Sequence, residues 1–236
     1  MSATEIAQLS AQLQPLDLAA RLTWLTQHFD NVVFSTSFGQ EDQVITEVIG
    51  RNRLPIRFFT LDTGRLFYET YTLAEETRTR YLLAIETYFP AANDIEALVS
   101  KKGFFSFYDS VEERKECCRV RKIEPLKRAL VGANVWVTGL RAEQSASRAD
   151  VPLVAWDEQF QVLKVNPLID WQYEQLTDYI RQNNIPENEL HQRGFISIGC
   201  APCTRAIQPG EDIRAGRWWW ESSKKECGLH LAPNRV

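Results

Sequence analysis

Between residues 4 and 28 the apolar side chains fall at Ile6, Leu9, Leu13, Leu16, Leu18, Leu22 and Leu25, the spacing of a helical face, with Pro15 interrupting it. This predicts two short helices. Residues 31–36 change to a β-branched and apolar run, bounded by Asp30 and Gly39 and followed by an amphipathic stretch at 42–51. That order reads as strand, tight turn, helix. The pattern recurs as a strand at 55–61, a turn at Asp62-Thr63-Gly64, a helix at 66–80 and a third strand at 81–87. Farther along, 110–131 reads as a helix, 134–138 as a strand, 160–165 pairing with 151–155 as a hairpin edge, and 171–183 as the last helix. Such alternation predicts an α/β fold: an open, mostly parallel sheet with helices on both faces. From Arg193 onward Gly, Pro, Cys and Trp accumulate and the periodicity fades. The expected organisation is a helical segment at 1–29, an α/β domain at 30–192, and a functional C-terminal tail at 193–236 that is part of the same domain.

The chain has 236 residues, enough for one domain with an appended tail. Its apolar stretches fall far short of the roughly 20 residues that a membrane-spanning helix requires. The N-terminus lacks the basic region and apolar block of a secretory signal, so a cytoplasmic protein is expected. Lys plus Arg is 27 against 31 Asp plus Glu, a net charge of −4, which argues against a surface built to track nucleic-acid phosphates. An anionic ligand would need a local basic cluster. Five cysteines are an odd number, and their spacing points to metal or redox chemistry rather than to a disulfide framework.

Ser35-Thr36-Ser37-Phe38-Gly39 lies where a strand feeds a helix, the place where open α/β sheets bind ligands. Small hydroxyl residues and Gly39 there would let backbone N–H groups approach an oxyanion, although an ordinary Ser-rich turn fits equally well. No Gly-Lys-Ser/Thr follows, so the turn is not a Walker motif. At the end of the second strand, Asp62 would lie beside that turn or cap the next helix. Cys117 and Cys118 are adjacent, and Cys200 and Cys203 enclose Ala201-Pro202. Two such pairs suit one four-thiolate site, holding either tetrahedral zinc or a [4Fe–4S] cluster; the vicinal pair favours the cluster. Buried core cysteines and a redox pair at Cys200 and Cys203 are the plainer alternatives. Cys227 stands apart, flanked by Lys224 and Lys225 with His230 three residues on, surroundings that favour a thiolate. Arg114, Lys115, Arg119, Arg121, Lys122, Lys127 and Arg128 against Glu116 and Glu124 give a local charge of seven minus two, or +5. Arg141, Arg148, Arg205, Arg214 and Arg217 add further side chains suited to phosphate or sulfate oxygens. Trp218-Trp219-Trp220 would either cover the site or pack as an aromatic cluster.

Taken together, the strings STSFGQEDQV, LDTGRLFYETY, KECCRVRKIEPL, GLRAEQSASR, GFISIGCAPCTRAIQPGEDIRAGRWWWE and KKECGLH resemble the assimilatory sulfonucleotide reductases, specifically their iron–sulfur adenylylsulfate (APS) branch. The resemblance runs from about residue 30 to 231. It implies an adenine-nucleotide α-hydrolase-like fold for the nucleotide-binding domain, a [4Fe–4S] cluster on Cys117, Cys118, Cys200 and Cys203, and Cys227 as the nucleophile carried by the tail. It also implies that Ser35, Ser37, Gly39, Leu61, Thr63 and Gly139 surround the nucleotide. Lys122, Arg148, Arg214, Arg217 and His230 match the family's phosphosulfate contacts; Arg141 lies in a matching string with a less defined role.

The implied reaction is attack of the Cys227 thiolate on the sulfate sulfur, departure of AMP, and release of sulfite from an S-sulfocysteine by reduced thioredoxin or glutaredoxin. A sequence that stops at Val236 leads us to expect that reductant as a separate protein. No nucleic-acid or membrane partner is expected, and a homo-oligomer is compatible with the pattern. The two cysteine pairs favour APS over its 3′-phosphorylated form (PAPS), with a PAPS or dual-specificity reductase as the alternative. A zinc-stabilised, non-catalytic nucleotide-binding module is a rival from another class. An ATP-dependent ligase or tRNA-modifying enzyme of the same loop superfamily is a further one, disfavoured because Phe38-Gly39-Gln40-Glu41 replaces the expected Gly-Gly-x-Asp.

Overall fold

The computed structural model describes residues 1–145 and 148–221. In chain order its helices are α1 (Ala3–Leu13), α2 (Leu18–His28), α3 (Gln40–Asn52), α4 (Tyr68–Tyr81), α5 (Ala92–Lys102), α6 (Val111–Cys118), α7 (Glu124–Ala129) and α8 (Tyr173–Gln182). The strands are β1 (Val32–Ser35), β2 (Arg57–Leu61), β3 (Ile85–Tyr88), β4 (Val135–Val137), β5 (Val154–Asp157) and β6 (Val162–Val165). None of the described helices is long and apolar enough to cross a membrane. The chain divides into two compact units. One comprises Met1–Thr60, Glu69–Glu86 and Gly132–Asn188; the other comprises Leu61–Tyr68, Thr87–Val131 and the segment beginning at Glu189.

The sheet runs β3-β2-β1-β4-β6-β5. β1 pairs in parallel with β2 and β4, and β4 with β6, while β5 returns antiparallel on β6 with Ala155 opposite Lys164. The mostly parallel sheet and its hairpin edge agree with the alternation in the sequence. Because β1 lies between β2 and β4, the chain leaves it in opposite directions along the sheet, and the carboxyl ends of β1 and β4 flank a topological switch point. Residues 36–39 follow β1, and Gly139 lies two residues beyond the end of β4. Leu22, Leu25, Val32, Phe34, Val44, Ile45, Val137, Val165 and Leu176 are among the buried side chains that join this sheet to its helices.

Two helices precede β1, as the Leu spacing predicts. Ser2 Oγ accepts from Glu5 N at 3.3 Å while Glu5 returns a carboxylate to Ser2 N, and Asp17 Oδ1 accepts from Ala20 N at 2.8 Å to start the second helix after Pro15. α3 is more deeply enclosed than an amphipathic reading suggests, since every residue from Asp42 to Ile49 is buried. Its polar members are satisfied: Gln43 Nε2 donates to Thr77 Oγ1 at 2.9 Å and to Pro186 O at 3.0 Å, and Tyr179 Oη donates to Glu47 Oε2 at 2.9 Å. The strand expected at 81–87 begins later. α4 continues through Tyr81, Leu83 N closes it on Arg78 O at 3.1 Å, and Leu82 turns the chain at φ 52°.

In the second unit, the single helix expected at 110–131 is interrupted. α6 and α7 are joined by a π-helical turn at Arg119–Ile123, and Pro125, in the first turn of α7, has no N–H to continue the ordinary ladder. α5 has no counterpart in the sequence reading. Ala91 gives it no capping side chain, and Leu98 is its one buried residue, so neither signal that announces a helix is strong.

Candidate active site

In the first unit, the turn after β1 is built by its own side chains. Phe38 adopts φ 60°, a left-handed conformation, and its N–H donates to Thr36 Oγ1 at 3.1 Å. Gly39 has an ordinary φ of −72° and begins α3. The residue bearing the backbone strain is therefore a buried Phe, not the Gly that the sequence draws attention to. Ser37 N and Ser37 Oγ both donate to Asp42 Oδ2, at 2.6 and 2.7 Å. The carboxylate of α3 thus takes donors that the sequence reading offered to a ligand oxyanion. A Cβ on Gly139 would run into the Asp42 carboxylate, so a side chain there would displace Asp42 from Ser37. Burial pushes the Asp42 carboxyl up to about 6 against the opposing Ser37 hydrogen bonds, and Glu41 adds to the rise. Ser35 Oγ accepts from Trp136 Nε1 at 2.8 Å. Arg141 pairs with Glu41 at 3.2 Å and with Glu143 at 2.5 Å and lies over the Tyr173 ring. Arg148 follows in the same unit, its backbone N–H bonded to Ser145 O at 2.9 Å.

In the second unit all four paired cysteines line one cavity, together with Arg65, Phe107, Arg114, Arg121 and Lys122. Cys117 and Cys118 end α6 where the π turn begins. Cys200 and Cys203 bracket a 3-10 turn, Ala201–Cys203, in which Cys203 N donates to Cys200 O at 2.9 Å. That turn is tied to its surroundings by Ala201 N on Arg65 O at 2.7 Å, Trp218 N on Cys203 O at 3.2 Å and Tyr108 Oη on Pro202 O at 2.7 Å. Thr63 Oγ1 lies 3.3 Å from Cys200 Sγ. α4 begins at Tyr68, later than the Leu66 start expected for a cap by Asp62; Asp62 accepts from Gly64 N at 2.7 Å, and Gly64, at φ 70°, makes the turn that leads to Arg65. Leu61 ends β2 immediately before this turn.

Burial pushes the Cys203 thiol up to about 12, with Cys200 and Cys118 adding to it and Arg217 and Lys122 opposing it. Burial likewise raises Cys117, opposed by Arg65 and Arg121. Cations therefore surround sulfur on several sides. Among the described residues of this unit, buried N–H groups without a hydrogen-bond acceptor include Arg65 Nη1, Arg121 Nε, Arg217 Nε, Trp218 Nε1 and Trp220 Nε1. Buried donors without acceptors are costly, and the two that belong to cavity-lining residues, Arg65 Nη1 and Arg121 Nε, mark a place for anionic or sulfur acceptors. Among the described residues no three Cys, His, Asp or Glu side chains converge to ligate a single ion.

Of the expected cations, Lys122 lines the cavity, and Arg217 is buried, with Nη1 donating to Ile198 O at 3.3 Å and its guanidinium 4.7 Å from the Trp218 ring. A Cβ at Gly199 would lie 2.3 Å from Arg217 Nη2, so that close approach requires glycine. Arg214 is half-buried, its backbone N–H held by Asp212 Oδ1 at 2.8 Å. Cys227 and His230 lie outside the described residues. Arg65 was not singled out in the sequence, although it follows the Thr63-Gly64 turn directly. Burial and Arg121 lower its pKa while Cys117, Cys200 and Cys203 oppose the drop, Nη2 donates to Phe104 O at 2.6 Å, and the head lies 4.9 Å from the Phe107 ring.

Residues 31–206 match the family model described as the phosphoadenosine phosphosulfate reductase domain. The chain is 52% identical over 232 residues to an adenosine 5′-phosphosulfate reductase of Agrobacterium fabrum, covering 98% of this chain and 89% of that one. To the adenosine 5′-phosphosulfate reductase of Allochromatium vinosum it is 54% identical, covering 94% and 88%. A solved phosphoadenylyl-sulfate (PAPS) reductase from Candida auris superposes with a TM-score of 0.74 at 29% identity, covering 86% of this chain and 97% of that one. An FMN adenylyltransferase from Candida glabrata, 16% identical with a TM-score of 0.54, shares the fold, covering 94% of this chain and 79% of that one. With the family model matched over most of the chain and relatives above half identity along nearly all of it, this protein belongs to the phosphoadenosine phosphosulfate reductase domain family.

Proposed function

We propose that the protein reduces adenosine 5′-phosphosulfate to sulfite and AMP in assimilatory sulfate reduction. The observation that carries this reading is the cysteine cavity: four buried thiols line it together with Arg65, Arg114, Arg121 and Lys122, with unpartnered N–H groups in the same unit. A [4Fe–4S] cluster fits this donor set, since four thiols lining one cavity offer one thiolate per iron, and its sulfur atoms would be acceptors for Arg65 Nη1 and Arg121 Nε. Cys117, Cys118, Cys200 and Cys203 would hold it. When bound, it supplies a fixed, polarisable centre of charge and joins the two cysteine segments.

The remaining chemistry falls to side chains of the chain itself. The Cys227 thiolate attacks the sulfate sulfur, the S–O bond to the phosphate breaks, and AMP departs with the electron pair, leaving an S-sulfocysteine. Lys122, Arg148, Arg214, Arg217 and His230 offset the repulsion between an anionic nucleophile and an anionic substrate. In the first unit this reading assigns Ser35, Ser37, Gly39 and Gly139 to the nucleotide; in the second it assigns Leu61 and Thr63. A dithiol protein, thioredoxin or glutaredoxin, then displaces sulfite and is itself oxidised to a disulfide.

Relatives at about half identity carry the adenosine 5′-phosphosulfate name, whereas the structure from Candida auris carries the PAPS name at 29% identity. The 3′-phosphorylated substrate is therefore the second reading. Sulfite release from both nucleotides, measured side by side with reduced thioredoxin, decides between them. A higher kcat/KM for APS is expected, and a higher value for PAPS overturns the substrate assignment.

A further inference from the structure

The second unit exposes an unusual group of aromatic side chains. Phe104 and Phe105 are each 66% exposed, Trp219 is 40% exposed and Tyr108 39%. Phe105, Tyr108 and Trp219 form a connected surface through ring contacts, with Phe104 next to Phe105 in the chain. The Phe105 and Tyr108 rings stack with centroids 6.4 Å apart, Tyr108 meets Trp219 edge-on at 6.4 Å and Trp220 at 4.4 Å, and Trp219 crosses Trp220 at 4.9 Å. The surface is held in place by polar bonds from the cysteine centre: Arg65 donates to Phe104 O, and Tyr108 donates to Pro202 O. Large exposed aromatics on a rigid support lose little conformational entropy on burial and commonly dominate the energetics of protein interfaces.

Covalent reach identifies the occupant. Cys227 lies six residues beyond Glu221, so whatever path the chain takes, its Cα is within about 22 Å of that of Glu221. Trp219 is two residues farther back. Any protein that discharges an S-sulfo group on Cys227 must bring its thiol to that sulfur. A dithiol protein of roughly 100 residues has a radius of gyration of about 13 Å, and a typical footprint is about 800 Å² per partner. Its contact surface therefore extends over tens of ångströms around the reacting sulfur, a scale that matches this reach.

We infer that the surface formed by Phe104, Phe105, Tyr108 and Trp219 is the docking site for the dithiol protein that reduces Cys227, an inference that rests on the proposed reaction. Discharge balances as follows. One thiolate of the partner attacks Cys227 Sγ and sulfite leaves with the S–S electron pair. The partner's second thiolate then attacks the mixed disulfide, releasing the Cys227 thiolate and a partner disulfide.

The test uses the full chain carrying Phe104→Ser and Phe105→Ser together, neither side chain having a part in the chemistry. First, unsubstituted and variant proteins are mixed with APS alone, and the Cys227 adduct and AMP release are measured. Discharge of the adduct is then followed with reduced thioredoxin and with dithiothreitol. The expected result is a KM for thioredoxin raised by roughly tenfold or more, as for loss of interface hot spots, with adduct formation and dithiothreitol discharge unchanged. An unchanged thioredoxin KM overturns the docking site, including where the variant instead dissociates a dimer and so marks a contact between copies. Equal loss with both reductants also overturns it, since the aromatics would then support the site itself or cover it with the chain's own 222–236 segment. Absence of the adduct from the unsubstituted protein refutes the reaction on which the inference rests.

Discussion

Asp42 has a carboxylate where a sequence reader expects a ligand oxygen. Ser37 aims both its backbone N–H and its hydroxyl at it, yet burial still lifts its pKa from 3.8 to about 6. A carboxyl whose folded-state pKa exceeds its unfolded value favours the folded state most at low pH, and that contribution is lost as pH rises through the folded value. The window here runs from about pH 4 to about pH 6, and a shift of about two units corresponds to roughly 2–3 kcal/mol. The expected outcome is a fall in unfolding free energy between pH 4 and pH 7 that Asp42→Asn flattens, measured by urea denaturation at several pH values. A variant with the same pH slope as the unsubstituted chain would place the ionisation elsewhere. The sequence does not disclose this arrangement. Gln40-Glu41-Asp42 opens a helix, where acidic side chains usually face solvent and complement the dipole, and nothing local distinguishes the acid that turns inward. The contact with Gly139 that encloses it comes from a residue nearly a hundred positions away.

At the scale of elements, the run from α6 through the π turn to α7 decides what reaches the cysteine cavity. A regular helix across 110–131 would place residues after Cys118 at 100° intervals; the π turn inserts extra backbone, and Arg121 Nη1 donates to Thr63 O at 2.6 Å. The pairing of Cys117-Cys118 with Cys200 and Cys203 was legible from spacing, because chemistry-bearing residues at close intervals stand out. The π turn was not, since Pro125 is compatible with an ordinary first turn of a helix. Cys203→Ser removes one thiol from the cavity and should abolish iron and acid-labile sulfide binding in anaerobically prepared protein; full iron content would refute the ligand set. The same elements supply a test of stability. Arg114 Nε and Nη2 donate to the Glu221 carboxylate at 2.8 and 2.9 Å, with both side chains almost fully buried. Removing the Glu221 charge takes away the carboxylate that balances Arg114, whose guanidinium also lies 4.5 Å from the Trp218 ring. Glu221→Gln should therefore cost about 3–5 kcal/mol of unfolding free energy, read by chemical denaturation, whereas a change below about 1 kcal/mol would mean that Arg114 finds other acceptors.

Over the whole molecule, the α/β architecture was readable where a parallel strand carries an apolar run and its crossover a helical period, as β1, α3 and β2 illustrate; β3 and α5 carry neither signal strongly. Charge is distributed unevenly: the chain is −4 overall, yet Arg65, Arg114, Arg121 and Lys122 meet at the cysteine cavity. That contrast suits the proposed reaction, in which a thiolate meets an anionic phosphosulfate, without attracting polyanions in general. The displacement itself is tested at the level of the intact protein. Mixed with APS and no reductant, the chain should release one equivalent of AMP per active site, and the peptide containing Cys227 should gain the mass of one SO3 group. Reduced thioredoxin should then convert that mass into free sulfite. The step requires sulfur, because a serine hydroxyl is not ionised near neutral pH and could not form a bond open to thiol exchange. Cys227→Ser is therefore expected to keep iron and bind AMP, but to yield neither adduct nor sulfite. If the added mass appears on Cys200 or Cys203 and Cys227→Ser still turns over, those two cysteines are a redox pair, and both the cluster and the tail nucleophile must be abandoned.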